Sequence, residues 1–306
     1  MGSRLVHDID WVGALLASTA LAMISYVFAY AAPLNDIELS SLTFSSSITS
    51  SNSAISHPAN IVLLTSSLLL FPAFHFWVAR QERLQKPALI PPSLWRSKIF
   101  TSICLSVFAI WGSFNALEQL LSFYFQYVQL LSPMQASIRF LAEPVSGIVG
   151  NMAAGLLVHR VRGDVLVLTT TALSLVSPTI MALASPTTSY WKAAFPAILC
   201  LPAAADMLFT VSNLVITDRF PARTQALAGG VFQTVSQVGK AVGLALSAVV
   251  ANSITEKSGY NDKASPDALM EGYKAAWWFT IGLSIATLVV GVLGLRKVGK
   301  VGLKKD

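Results

Sequence analysis

The chain has 306 residues, 54% of them hydrophobic and only 12% charged, with a formal net charge of +6. A water-exposed domain carries about a quarter charged residues, so this sequence lacks the polar surface that a soluble fold needs. Eight apolar stretches of roughly 20 residues, the length a bilayer crossing requires, predict an all-α, polytopic membrane protein. The basic residues lie in short loops rather than in one patch, which argues against nucleic acid as a partner. Cys104 and Cys200 both fall inside predicted spans, so neither a disulfide framework nor a metal site is expected.

In chain order, the first span is expected at 11–32. Asp8 and Asp10 precede an apolar run too long for a cleavable signal, so this span should act as an uncleaved anchor. A serine-rich tract, 40–56, has the composition of a solvated loop. The second span is expected at 60–79, and a proline-containing connector at 84–98 marks the one domain boundary. Spans three to eight are predicted at 99–126, 138–158, 165–184, 193–217, 226–252 and 275–295. A short uncharged loop at Ser132–Pro133 precedes span four, and a longer polar loop, 253–274, precedes span eight. The domains so defined are 1–83, two additional helices with an external serine-rich loop; 84–98, a cytoplasmic connector; 99–295, six helices; and 296–306, a basic cytoplasmic tail.

Lysine and arginine placement gives the orientation. Fifteen of the 21 fall on one side of the predicted spans, and Lys192, Lys257, Lys263 and Lys274 fall on the other. Both termini are therefore expected in the cytoplasm, which agrees with an even number of spans.

A charge at bilayer depth costs about 3 kcal/mol on insertion scales, so it usually faces a partner or a wet cavity. Span three carries Glu118, span four Arg139 and Glu143, span six Asp206 and span seven Lys240. Arg139 and Glu143 stand four residues apart, so they either neutralise each other along one helix face or take part in substrate or proton coupling. Lys240, at mid-span, is expected to pair with Asp206 or Glu118. Carboxyl groups at low dielectric can load and release protons near neutral pH, which makes Glu118, Asp206 and Glu143 the proton-coupling candidates. The other reading for Glu118 and Asp206 is a helix-packing carboxyl bonded to Ser, Thr or Asn of a neighbour. Asn115, Arg139, Asn213, Gln233, Gln237 and Lys240 are the candidates for a substrate pocket, with helix joining as the other reading for the amides. Gly147–Asn151–Gly155, Ser146–Gly150–Ala154 and Gly239–Gly243 repeat every four residues, a spacing that lets helix backbones approach closely. Six tryptophans near span ends, among them Trp77 and Trp191, fit interface anchoring.

The sequence holds no Walker A loop, HExxH, Rossmann glycine fingerprint or nucleophile elbow. No enzyme activity and no cofactor are expected, and energy for transport would come from an ion or substrate gradient.

Gly155-Leu-Leu-Val-His159-Arg160-Val-Arg162-Gly163-Asp164 resembles the degenerate second copy of the major facilitator signature, G-x-x-x-D-R-x-G-R-[RK], a cytoplasmic turn between two helices. The phrases ALIPPSLWRSKIF, SPMQASIRFL, ADMLFTVSNLVITDRFP and LAGGVFQTVSQVGKAVGLAL are similar to the fungal fourteen-helix drug:proton antiporter branch. The resemblance covers roughly Asp10 to Leu295. It implies that spans one and two are the inserted pair of that branch and spans three to eight its C-terminal half. It further implies proton-coupled efflux of small amphipathic compounds such as drugs, toxins or secondary metabolites. Gly155, His159, Arg160, Arg162, Gly163 and Asp164 would shape the cytoplasmic hinge, with His159 standing where the signature has aspartate.

In that family the substrate site lies between two halves, so the implied partners are a small molecule, protons, the lipid bilayer and an N-terminal transporter half. The expected location is the plasma membrane, with the vacuolar membrane as the second choice. A non-transporting membrane protein, either a truncated remnant or a regulatory partner of a full-length transporter, is the alternative.

Overall fold

The computed structural model describes residues 10–30, 58–84, 92–158 and 160–294. The serine-rich tract, residues 85–91 of the connector, His159 and the basic tail lie outside the described residues. Among the described residues, seven helices are long and apolar enough to cross a membrane, and the first expected span is present as the 20-residue helix Trp11–Tyr30. The fold is all-α and multi-pass. Two compact units divide the chain, 1–97 and 98–306.

Unit one pairs α1 (Trp11–Tyr30) with α2 (Pro58–Arg83). Asp10 starts α1 as an N-cap: its carboxylate accepts the Gly13 N–H at 2.8 Å, satisfying one of the donors that a helix start leaves free. The same oxygen accepts the Trp77 indole N–H at 2.9 Å. One aspartate thus both caps α1 and ties it to α2, and Trp77, expected as an interface anchor, is occupied in that tie.

Unit two contains α3 (Lys98–Phe123), which continues into a π-helical turn at Tyr124–Val128. It also contains α4 (Pro133–Arg139), α5 (Ala142–Val158), α6 (Gly163–Leu173), α7 (Val176–Leu183), α8 (Ala194–Arg219), α9 (Ala222–Lys257) and α10 (Pro266–Gly294). Helix α3 is the axis, packing against α9, α10 and α8. Helix α10 buries small residues, Ala276, Thr280, Ser284, Thr287 and Gly291, and meets α3 at Thr280 and Ser284. Ser113 of α3 donates to the Thr280 carbonyl and lies 3.3 Å from the Ser284 hydroxyl. Small residues and hydroxyl bonds are how helices associate where lipid is as apolar as the side chains.

The predicted spans four and five are each two helices rather than one. The break in the first is at Phe140–Leu141 and in the second at Ser174–Leu175. Each lies next to the residue four before a proline, Pro144 and Pro178. Proline has no N–H for the carbonyl four residues back, and its ring crowds that carbonyl. The expected loop 253–274 is also corrected: α9 runs on to Lys257 and α10 starts at Pro266, leaving only a short connection. Ser265, whose hydroxyl accepts the Ala268 N–H, followed by Pro266, makes a strong helix start. Charged residues of the expected loop, Glu256, Lys257, Asp267, Glu271 and Lys274, therefore stand on helical turns.

The closest backbone approach joins α3 to α9. A Cβ on Gly112 would lie 2.8 Å from the Gly239 carbonyl oxygen, and one on Gly239 would lie 2.8 Å from Phe108 Cα. Gly243 backs onto the Gly112 backbone with no room for a side chain. The expected packing role of Gly239 and Gly243 is thus realised. Gly155, placed in a similar row on α5, has nothing within 4 Å of its absent Cβ, so at that position close packing does not explain the glycine. Gly239→Val should destabilise the detergent-solubilised protein by about 1–3 kcal/mol through overpacking. Gly155→Ala should be neutral or stabilising by up to about 1 kcal/mol, since alanine is the better helix former. Thermal unfolding of both variants checks the contrast, and equal loss in the two would contradict it.

Candidate functional site

The polar residues inside the helices fall into two groups on α3, α5, α8 and α9. The first lies along the α5–α8 seam. Asp206 of α8 accepts the Asn151 side-chain N–H at 3.2 Å, and Asn151 also donates to the Gly147 carbonyl at 3.1 Å. Thr210, one turn along α8, donates to the Asn151 side-chain oxygen at 3.4 Å. Gly147 leaves the space in which the Asp206 carboxylate sits, since a Cβ there would be 3.4 Å from Oδ2. Ser146, one residue before, donates to the Leu199 carbonyl and fastens the same seam. Asp206 thus accepts a hydrogen bond from a neighbouring helix.

The second group is centred on Lys240. Its ammonium lies over the Trp111 ring of α3, 4.3 Å from the centroid. Neither Asp206 nor Glu118 is within ion-pair distance; among the described residues the ion pair is Arg162–Asp164. The expected pairing of Lys240 with a carboxylate is thus replaced by an aromatic face, whose negative quadrupole stabilises a half-buried cation. Trp111 packs edge-on against Phe114 and Phe209, and Phe209 stacks on Phe232, so rings from three helices fix its plane. The buried Trp111 indole N–H has no acceptor among the described residues. Glu118, two turns along α3, lies within electrostatic reach of Lys240, and Glu143 lies within reach of both Glu118 and Asp206. The four charged groups thus form a chain of neighbours, Lys240 to Glu118 to Glu143 to Asp206.

Arg139 and Glu143 do not pair. The break at Phe140–Leu141 ends α4 at Arg139 and puts Glu143 in the first turn of α5. Four residues apart no longer means one face. The Arg139 guanidinium lies against the rings of Phe125 and Tyr190, 5.3 and 5.2 Å from their centroids, and donates to the Gln129 side chain. It belongs to the end of the bundle and stays outside the carboxyl group. Asn115 and Asn213 turn back onto their own helices, donating to the Trp111 and Phe209 carbonyls. Gln233 and Gln237 lie exposed on α9, one turn apart.

Residues 1–244 match the sequence profile of the Major Facilitator Superfamily. The chain belongs to that superfamily. An MFS-type transporter 1 of Pyricularia oryzae is 40% identical over 318 residues, covering 98% of this chain and 49% of its own length. The efflux pump terJ of Aspergillus terreus is 25% identical over 76% of this chain and 42% of its own. The aminotriazole resistance protein of Saccharomyces cerevisiae is 22% identical over 93% of this chain and 47% of its own. This major facilitator chain spans about half the length of the curated relatives it matches. Its family is one of transporters rather than enzymes.

In this major facilitator fold the signature-like turn joins α5 to α6. Arg162 makes a two-pronged bond to Asp164, at 3.1 and 2.9 Å. Asp164 stands in the first turn of α6, where a negative charge suits the helix dipole. Gly163 is buried at the start of α6, and Arg160 is exposed. The side chain of His159 lies outside the described residues. Arg162 and Asp164 are thus brought together, and Gly155 stands apart in open space.

Sequence reasoning missed Trp111, Asn151 and Thr210 as participants. Trp111 carried a signal: of the seven tryptophans it alone sits in the middle of a predicted span, where interface anchoring does not account for it. A double-mutant cycle with Lys240→Gln and Trp111→Leu should give a coupling of about 1–2 kcal/mol in detergent unfolding, as for a half-buried cation–π contact. Additive effects would show that the contact contributes nothing.

Proposed function

We propose that this chain is the C-terminal part of a proton-coupled exporter of small amphipathic compounds. The two helices of unit one would be the inserted pair of the fourteen-helix branch, and the helices of unit two one half of the transport body. The observation that carries the reading is the chain of neighbours Lys240, Glu118, Glu143 and Asp206 on otherwise apolar helices. Ionisable groups are expensive at bilayer depth and are kept there for ion or substrate pathways. The exposed Gln233, Thr234 and Gln237 lie on one side of α9, a poor surface for lipid and a good one for a wet cavity. Efflux-named relatives support export, and the shares of length covered support a second half in the working transporter. That half would come from the same longer polypeptide or from a second chain, with both termini of this one in the cytoplasm.

The roles follow from placement. Glu118, Glu143 and Asp206 would exchange the coupled proton, and Lys240 would respond to their charge from its seat on Trp111. Gln233 and Gln237 would meet the substrate, and Arg160, Arg162 and Asp164 would shape the cytoplasmic turn. Cells expressing the transporter that contains this sequence would be loaded with rhodamine 6G as the probe and assayed for pH-gradient-driven dye export. Glu118→Gln and Asp206→Asn should each lower export by about 10²-fold or more, the lower end of what positioned proton transfer contributes. Unchanged export in both variants would sink the coupling assignment. An immunoblot against the C-terminal tail should show a band of roughly twice this chain's mass, or this chain together with a co-purifying membrane protein.

A further inference from the structure

At the end of unit two opposite the Arg162–Asp164 turn lies a cavity of about 540 Å³. Its lining includes Gln129, Arg139, Thr187, Thr188, Tyr190 and Trp191. The lining is built around one fixed cation. Phe125 and Tyr190 stand side by side, their centroids 6.2 Å apart, and the Arg139 guanidinium rests against both. One N–H is taken by Gln129, and the others have no acceptor among the described residues. The Tyr190 hydroxyl donates to the Arg139 carbonyl at 2.8 Å, tying the 185–192 loop to the end of α4. Tyr190 keeps its proton for that bond, because partial burial raises its pKa while the Arg139 charge only partly opposes the shift. No carboxylate stands within ion-pair distance of Arg139 among the described residues. The exposed Lys192 adds a second positive charge to the same loop.

The surroundings of the cavity are apolar. Leu130, Met134 and Trp191 are 74, 71 and 70% exposed beside it, where the apolar helices end. A guanidinium held by two rings and Gln129, with donors left over and hydroxyls nearby, fits a phosphate oxygen pair. Apolar side chains and an indole at its lip fit acyl chains and the headgroup boundary.

We propose that the Arg139–Tyr190 cavity binds the phosphate of an anionic phospholipid of the adjacent leaflet. The proposal depends on the membrane setting alone and stands apart from the transport reading. The full chain would be purified in dodecyl maltoside mixed with phosphatidylglycerol and weighed by native mass spectrometry, with inorganic phosphate as the competing probe. One phosphatidylglycerol should stay bound per chain and resist millimolar phosphate. Arg139→Gln should cut its retention by about tenfold. Thr187→Glu places a repelling carboxylate on an exposed rim residue without touching the packing, should act similarly, and decides the matter if Arg139→Gln unfolds. Retention unchanged in folded variants would overturn the site. Phosphate bound in an Arg139-dependent manner with no lipid retained would overturn the lipid assignment and leave a soluble oxyanion as the ligand.

Discussion

The contact on which the rest of unit two depends is the meeting of two backbones, α3 and α9, at Gly112, Gly239 and Gly243. Lys240 follows Gly239, and Trp111 precedes Gly112. The approach that leaves no space for a Cβ is therefore also what lowers the lysine onto the indole, 4.3 Å from the ring centroid. A methyl group at any of these glycines would separate the helices and lift the cation from the ring, leaving an uncompensated charge at bilayer depth. Packing and electrostatics are a single constraint here. Helix α3 also carries Glu118 and the hydroxyl contacts to α10, so its position fixes both the polar group and the rear wall of the bundle.

Length and hydropathy made the helical, multi-pass fold legible, because a bilayer crossing imposes a length that no soluble core helix needs. Interruptions were less legible, although their cause is local. Pro144 and Pro178 each lack the N–H that an α-helix would give the carbonyl four residues earlier, and the helices break beside Phe140 and Ser174. The regular spacing of Arg139 and Glu143 invites a continuous helix, and proline chemistry overrides it. The polar stretch 253–274 misleads for a different reason. Charged residues mark the end of the bilayer, whereas the helix ends where its capping residues are, and Ser265-Pro266 puts that point well inside the stretch.

Of the candidate site, the residue identities were legible and the partners were not. Charged side chains within apolar spans stand out whatever the fold, so Glu118, Glu143, Asp206, Arg139 and Lys240 could be picked from composition alone. Who meets whom depends on helix rotation and on distances between elements far apart in sequence. Asp206 meets Asn151, 55 residues away, on a helix whose small residues suggest packing and nothing more. Lys240 meets a ring in place of a carboxylate, and charge counting has no means of finding a quadrupole.

The break at Phe140–Leu141 separates charges that the sequence sets side by side, and the two take up different work. Arg139 is held at the end of the bundle by Phe125, Tyr190 and Gln129. Glu143, one turn beyond, enters the field of Glu118 and Asp206. Had α4 and α5 been continuous, the two could have neutralised each other on one face, and the interior would have lost a carboxyl. With the arginine withdrawn, the interior holds more acid than base, and its one cation, Lys240, is stabilised by an aromatic ring instead of consuming a carboxylate. In the coupling proposed above, all three carboxyls would then be free of an ion pair when a proton or a substrate arrives. Pro144, by disrupting one helical turn, makes that imbalance structurally affordable.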